Sequence, residues 1–439
     1  MKSVIWAGLV FSLIGLGGCN NLKYQVGGIV TGLSGSGLAL EDNGGTSLTI
    51  TGNGAFAFSA GVKNGEVYAV TVATEPSNPT QTCTVYNGSG TINKAAITHI
   101  IVTCTQAGQY AWVANQTSND ISAYAIDQTS GFLTPVANSP FTASGSTPTA
   151  ITVDPNGGYA YATNNGSNTV GAYSIESTSG TLTTVGFPVA TQNGPIAVIV
   201  DPSNSYLYVA NQASNSVSAF SISAGALTEI AGSPYAVGAG PISLRTDPGG
   251  NYLYVVNFTD GTISVFAIDT STGTLTGVVG SPFAAGTGAS SIAIDPTGTY
   301  AYVANASAAT ISAYSITADS GALSPVTGSP FSTGSAADSI AVDPAGAHLY
   351  AANATAADEV ATFTIVPSTG ALQSPAATAN AGALPIFVTI DPAGTFAYVA
   401  NGNSSDVSVY SLSTGTGLMT EVNGSPFAAG GGPRSIAIH

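Results

Sequence analysis

Three side chains in this 439-residue chain combine charge and placement in a way that could act on a polar substrate: Arg245, Asp338 and Arg434. An arginine holds a carbonyl oxygen or a carboxylate through a fixed fork of N–H donors, and a carboxylate can grip an opposite charge or take a proton from water. Scarcity singles them out. The chain has 22 acids against only 6 lysines and arginines, and after residue 107 the bases are Arg245 and Arg434 alone. The imidazoles are His99, His348 and His439. His439 ends the sequence, where a general base would be poorly held, and His348 reads as a turn-edge residue ahead of a strand. No Gly-x-Ser-x-Gly elbow, His-Glu-x-x-His pair, phosphate-binding glycine loop or calcium-loop spacing occurs, so no metal or cofactor is expected.

The elements that must position these residues come from a repeat. Ser291 to Asn305 reads Ser-Ile-Ala-Ile-Asp-Pro-Thr-Gly-Thr-Tyr-Ala-Tyr-Val-Ala-Asn, and its closing Asn returns at Asn115, Asn164, Asn211, Asn257, Asn305, Asn353 and Asn401. The spacings are 49, 47, 46, 48, 48 and 48 residues, the length of one four-stranded propeller blade. One unit predicts strand A at Ser291 to Ile294, strand B at Tyr300 to Asn305, strand C at Thr310 to Ile316 and strand D at Leu323 to Phe331. No stretch shows helical period, so the class is all-β. The array opens with a B strand at Tyr110 and closes with an A strand at Pro433 to His439, so the final strand is expected to close a seven-bladed ring.

Within that repeat, Asp154, Asp201, Asp247, Asp295, Asp343 and Asp391 start Asp-Pro turns. Six equivalent acids cannot converge on one substrate, so they read as turn residues, as does each closing Asn. The column Tyr124, Tyr173, Phe220, Phe266, Tyr314, Phe363 and Tyr410 reads as packing between blades. Arg245 breaks a column otherwise held by Thr152, Ile199, Ala293, Ala341, Thr389 and Ala437, and is expected to pair with a blade-turn Asp or to anchor a ligand. Arg434 and Asp338 fill the same position two blades apart, as a solvated rim pair or as a grip on a polar ligand.

Residues 1–18 read as a signal peptide: Lys2, an apolar run from Val4 to Leu16, then Leu16-Gly17-Gly18-Cys19. That ending resembles the bacterial lipobox, which implies lipidation of Cys19, a membrane partner through the lipid and a cell-envelope location; Asn20 after it favours the outer membrane. Residues 19–106 lack the repeat and read as a small immunoglobulin-like β-sandwich with Asn-Gly turns at Asn43, Asn53, Asn64 and Asn87. In an exported chain the remaining cysteines, Cys83 and Cys104, are expected to form a disulfide between neighbouring strands, contributing about 3 kcal/mol. Residues 107–439 are the propeller.

Charged residues are only 6% of the chain and the net charge is −16, so no nucleic-acid partner is expected and anionic lipid surfaces are poor partners for want of a basic face. A cationic ligand, a carbohydrate or a protein is easier to accommodate. Asp-Pro-x-Gly followed by Tyr-Val-Ala-Asn resembles the YVTN-type repeats of the lactonase family, seven-bladed propellers related to 6-phosphogluconolactonase and carboxymuconate cyclase. The resemblance covers all seven repeats and implies that fold. It also implies a site of Arg, His and Glu side chains near the channel mouth, where a Pro-Arg-His triplet is typical; here the triplet reads Pro433-Arg434-Ser435. The expected function is therefore a lipid-anchored, non-catalytic binding module, with hydrolysis of sugar lactones, of the 6-phosphogluconolactonase type, at the channel mouth by Arg434, Arg245 and Asp338 as the alternative.

Overall fold

The computed structural model describes residues 22–31, 33, 36–45, 47–76, 81–106, 109–354, 358–375 and 377–439. The signal segment and Cys19 lie outside the described residues. The chain divides into two compact units, Met1–Ala107 and Gly108–His439. Every regular element among the described residues is a strand, and no helix is long and apolar enough to cross a membrane.

In the first unit, Gly54–Ala57, Val26–Thr31, Ile97–Gln106 and Gln81–Tyr86 form one sheet in that order, and Leu48–Thr49, Ala39–Asp42, Val67–Thr74 and Ser89–Thr91 form another. Their inner faces share a core that includes Val30, Leu40, Phe56, Val70 and Val102. Alternation sets the faces: Ile100 and Val102 are buried, whereas Ile101 between them is 40% exposed. Cys83 and Cys104 sit opposite each other on adjacent antiparallel strands and are joined at 2.03 Å. The bridge thus lies within one sheet, unlike the sheet-to-sheet bridge of antibody domains.

In the second unit seven sheets carry the repeat, as the fifth blade shows. Ala289–Ile294, Tyr300–Asn305 and Thr310–Ile316 pair in sequence as strands A, B and C. The expected single strand D is instead two short pieces, Leu323–Pro325 and Phe331–Ser332, pairing with opposite ends of strand C. Gly328, at φ 90°, and Pro330, without an N–H, break the ladder between them. Ser329 bridges the break by accepting the Ala313 N–H at 2.9 Å.

The Asp-Pro turn works as read. Asp295 accepts the N–H groups of Thr299 at 2.7 Å and Tyr300 at 2.6 Å, leaving it no freedom for substrate. The closing Asn differs from the turn residue expected. Asn305 is fully buried at the end of strand B, where Nδ2 donates to Thr310 at 3.1 Å and Ser312 at 2.9 Å, while Oδ1 accepts from Gly286 at 2.9 Å. It ties strand B to strand C and to the loop entering its own blade.

Neighbouring blades meet through strand B. Tyr302 donates its hydroxyl to the Gly370 carbonyl of the next blade at 3.0 Å; Tyr254 does the same to Gly321 at 3.1 Å, Tyr208 to Gly273 at 3.0 Å, and the Trp112 indole N–H to Gly180 at 2.9 Å. Burial pushes the pKa values of these tyrosines up, so they stay neutral donors. The strand C aromatics also reach across: Tyr314 donates to Ala284 O at 2.7 Å and Tyr124 to Ala428 O at 2.6 Å. Pro433–Ile438 pairs with Gln109–Asn115, Ile436 opposite Val113, so the final strand completes the first blade.

His348 is not the turn-edge residue expected. It is the first residue of strand B in the sixth blade, 4% exposed, with Nδ1 2.9 Å from Asp343 and its ring against Gly417. Tyr300 holds the same place over Gly370, so His348 stands in for a packing aromatic.

A methyl group on Gly370 would lie 2.2 Å from Tyr300 Cδ1, at a φ of 68° that side chains avoid. Gly370→Ala is expected to lower unfolding stability by more than about 1 kcal/mol. Gly415→Ala, with nothing within 4 Å of the new methyl, is the matched control and is expected to be near neutral in chemical denaturation.

Candidate functional site

Every A strand carries the same irregularity. Its first residue pairs with the closing Asn of strand B, its third pairs with the residue before that Asn, and its second is an extra residue in a bulge: Ala337 opposite Asn353, then Ser339 opposite Ala352, with Asp338 between. Pro433, Arg434 and Ser435 repeat the pattern against Asn115 and Ala114. Bulges re-aim side chains. All seven extra residues, Arg434, Thr149, Ile196, Ile242, Ser290, Asp338 and Ile386, line one cavity of about 410 Å³ running into the ring.

Arg434 and Asp338 therefore share a level of the channel, on the first and sixth blades with Ile386 of the seventh between them. They do not form the rim ion pair expected: among the described residues the ion pairs are Lys63 with Glu66 and His348 with Asp343. Arg434 is exposed at the mouth, where its Nε donates to Gln116 Oε1 at 2.6 Å. Asp338 is half-buried, and burial raises its carboxyl pKa while the nearby Arg434 charge pulls it partly back. It is the only carboxylate among the described residues lining the cavity.

Arg245 lines the same cavity three residues further along its strand, roughly 10 Å deeper at strand rise. Opposite Tyr254, it occupies the column in which Ala437 faces Trp112 and Thr389 faces Tyr398. The expected pairing with a blade-turn Asp is absent. Asp247 is already held by the N–H groups of Asn251 at 2.7 Å and Tyr252 at 2.6 Å, while Arg245 Nη1 donates to the Leu244 carbonyl at 3.1 Å. Without a carboxylate partner, desolvation lowers the Arg245 pKa, and its remaining donors are available to a ligand.

The structure thus brings all three candidates into one cavity. Reading the sequence alone missed Gln116 and Phe258, which both follow the closing Asn of strand B and stand at the mouth. That place also holds Asn165, Gln212, Ala306, Ala354 and Gly402, so its variability within a regular repeat is the signal that could have marked it.

A carboxyl group whose folded pKa is raised favours its protonated form in the native state, so ionisation costs stability as pH climbs from the unfolded value through the folded one. Asp338→Asn, which removes that cost, is expected to raise Tm at pH 7, with the gain vanishing below about pH 4. Thermal unfolding of both proteins across this range checks it; an equal Tm difference at every pH would contradict it.

A family model described as lactonase, 7-bladed β-propeller, matches residues 48–240 and 237–437. No curated protein matches the chain. Solved structures of similar fold include a Bacteroides uniformis protein provisionally described as a 6-phosphogluconolactonase, with 20% identity, a TM-score of 0.67, and coverage of 76% of this chain and 100% of that one. Another is a periplasmic gluconolactonase from Pseudomonas aeruginosa, with 19% identity, a TM-score of 0.66, and coverage of 75% and 99%. With seven repeat sheets and a family match spanning most of its length, the chain belongs to the seven-bladed β-propeller lactonase family.

Proposed function

We propose that the propeller hydrolyses lactones at the Asp338 end of its channel, in a protein anchored to the bacterial cell envelope. The observation that carries this reading is that both propeller arginines line a single cavity with Asp338, its one carboxylate among the described residues. Ser435, where the family triplet has His, makes a non-catalytic module the expectation from sequence; Asp338, its pKa raised by burial, can act as the base instead, and the family match favours hydrolysis.

In this mechanism the Asp338 carboxylate takes a proton from a water molecule as its oxygen attacks the lactone carbonyl carbon. Arg434 donates to the carbonyl oxygen as negative charge develops there, with Gln116 fixing the orientation of its guanidinium. The tetrahedral intermediate then collapses and the ring C–O bond breaks. The leaving alkoxide recovers the proton from Asp338, giving a hydroxy acid. Arg245, deeper in the channel, can hold an acceptor group on the substrate.

Envelope location is supported by the Leu16-Gly17-Gly18-Cys19 ending, by a Cys83–Cys104 disulfide of the kind exported proteins form, and by a neighbour in fold that is periplasmic.

A pH-stat assay on purified protein is expected to show lactone hydrolysis above the spontaneous rate, with Asp338→Asn lowering kcat by about 100-fold or more. Wild-type protein no faster than buffer, or full activity in Asp338→Asn, would contradict the mechanism. In a bacterial host fed labelled palmitate, the full chain is expected to carry label and sediment with membranes, and Cys19→Ser to do neither; label persisting in Cys19→Ser would contradict the anchor.

A further inference from the structure

The channel mouth has two unlike sides. Taken round the ring from Arg434, its residues are Thr149, Ile196, Ile242, Ser290, Asp338 and Ile386. The charges stand on the first and sixth blades, flanking the seventh. Across from them, the third and fourth blades set Ile196 beside Ile242, with Ile199 two levels deeper and Phe258 at the outer edge. Phe258 is 37% exposed, at a position where the other blades place amides or small residues. None of these four side chains can donate or accept a hydrogen bond.

The next level inward adds little on that side. Ser435, Ser243, Ser291 and Ser339 line the cavity, each hydroxyl oxygen accepting a backbone N–H of the following blade, from Ile151 at 3.3 Å, Ile292 at 3.4 Å, Ile340 at 3.2 Å and Val388 at 3.2 Å respectively, so each is already partly engaged and of the four only Ser243 stands below the apolar wall. A polyhydroxylated or phosphorylated ring laid across this mouth would press several polar groups against Ile196, Ile242 and Phe258, which offer them no partner, while the Arg245 guanidinium belongs to a level roughly 10 Å deeper. An alkyl or aryl group would instead cover apolar surface that is otherwise wet.

Resting on the lactone reading, the geometry points to a substrate class: lactones bearing an apolar substituent, the ring carbonyl between Asp338 and Arg434 and the substituent across the channel on Ile196, Ile242 and Phe258. These three residues set specificity.

Three six-membered lactones test this: δ-valerolactone without a substituent, δ-decanolactone with an alkyl chain, and δ-gluconolactone with hydroxyls. Expected kcat/KM for the alkyl lactone exceeds that for each of the others by about 10-fold or more, and Phe258→Ser or Ile242→Ser brings the alkyl-to-unsubstituted ratio toward one. The ratio is internal to each variant, so partial misfolding does not alter it. Calorimetric binding of δ-decanolactone to Asp338→Asn separates the two readings. Faster turnover of δ-gluconolactone than of δ-decanolactone overturns the substrate class and leaves lactone hydrolysis standing. No turnover of any lactone, with δ-decanolactone binding that Phe258→Ser weakens about 10-fold, overturns hydrolysis and upholds the apolar subsite. Neither turnover nor binding overturns both.

Discussion

The ring depends on one contact made between successive blades: a strand B aromatic set against a glycine of positive φ in the next blade. Tyr300 lies over Gly370 and Tyr252 over Gly321, while Tyr302 and Tyr254, two residues on, donate to the carbonyls of those same glycines. The contact demands an aromatic, a bare backbone and a carbonyl turned inward. It is therefore met by the same few residue types each time, which is why the sequence repeats. His348 over Gly417 meets the steric part with an imidazole and gains a hydrogen bond to Asp343. An imidazole so placed serves the scaffold.

With the scaffold held by recurring residues, chemistry is left to the positions that vary. The A strands show this. Their fourth residues, such as Leu244, Ile292 and Ile340, pack in the blade cores, whereas the second residues run from arginine through isoleucine to aspartate. An acidic protein of net charge −16 places both of the propeller's arginines in this one channel. Among the described residues Asp338 is the one carboxylate lining the channel with them, and a lumen with apolar walls strengthens each interaction made there. Asp338 illustrates the cost: the burial that raises its pKa disfavours the ionised native state while readying the carboxylate to take a proton.

Much of this was legible in the residues. Strands B and C of the fifth blade, Tyr300–Asn305 and Thr310–Ile316, have the bounds that their alternation and flanking turns imply. The final strand's pairing with the first blade follows from an unmatched strand at each end. The split of strand D was hidden because Leu323 to Phe331 keeps β-forming residues on both sides of a proline corner. Val26–Thr31 was hidden by Gly27 and Gly28, which lie so close to neighbouring backbone that a Cβ on Gly28 would be 1.9 Å from the Ile100 carbonyl oxygen. In the site, Arg434 and Asp338 could be matched because Ser435-Ile436-Ala437 repeats Ser339-Ile340-Ala341. A period-two pattern cannot register the bulge that carries both into the lumen. The missing partner of Arg245 was equally out of reach, since it depends on Asp247 being taken up by its own turn.

Asp338, held in the channel beside Arg434, is the proposed base. The most direct measurement is the pH dependence of kcat/KM for lactone hydrolysis in wild-type protein and in Arg434→Ala. Activity is expected to rise with pH through an inflection above the usual carboxylate range, because burial raises the Asp338 pKa, and the inflection is expected to move higher in the variant, because the Arg434 charge that lowers that pKa is gone. A profile with no acidic inflection, or one that stays in place when Arg434 is removed, would contradict it.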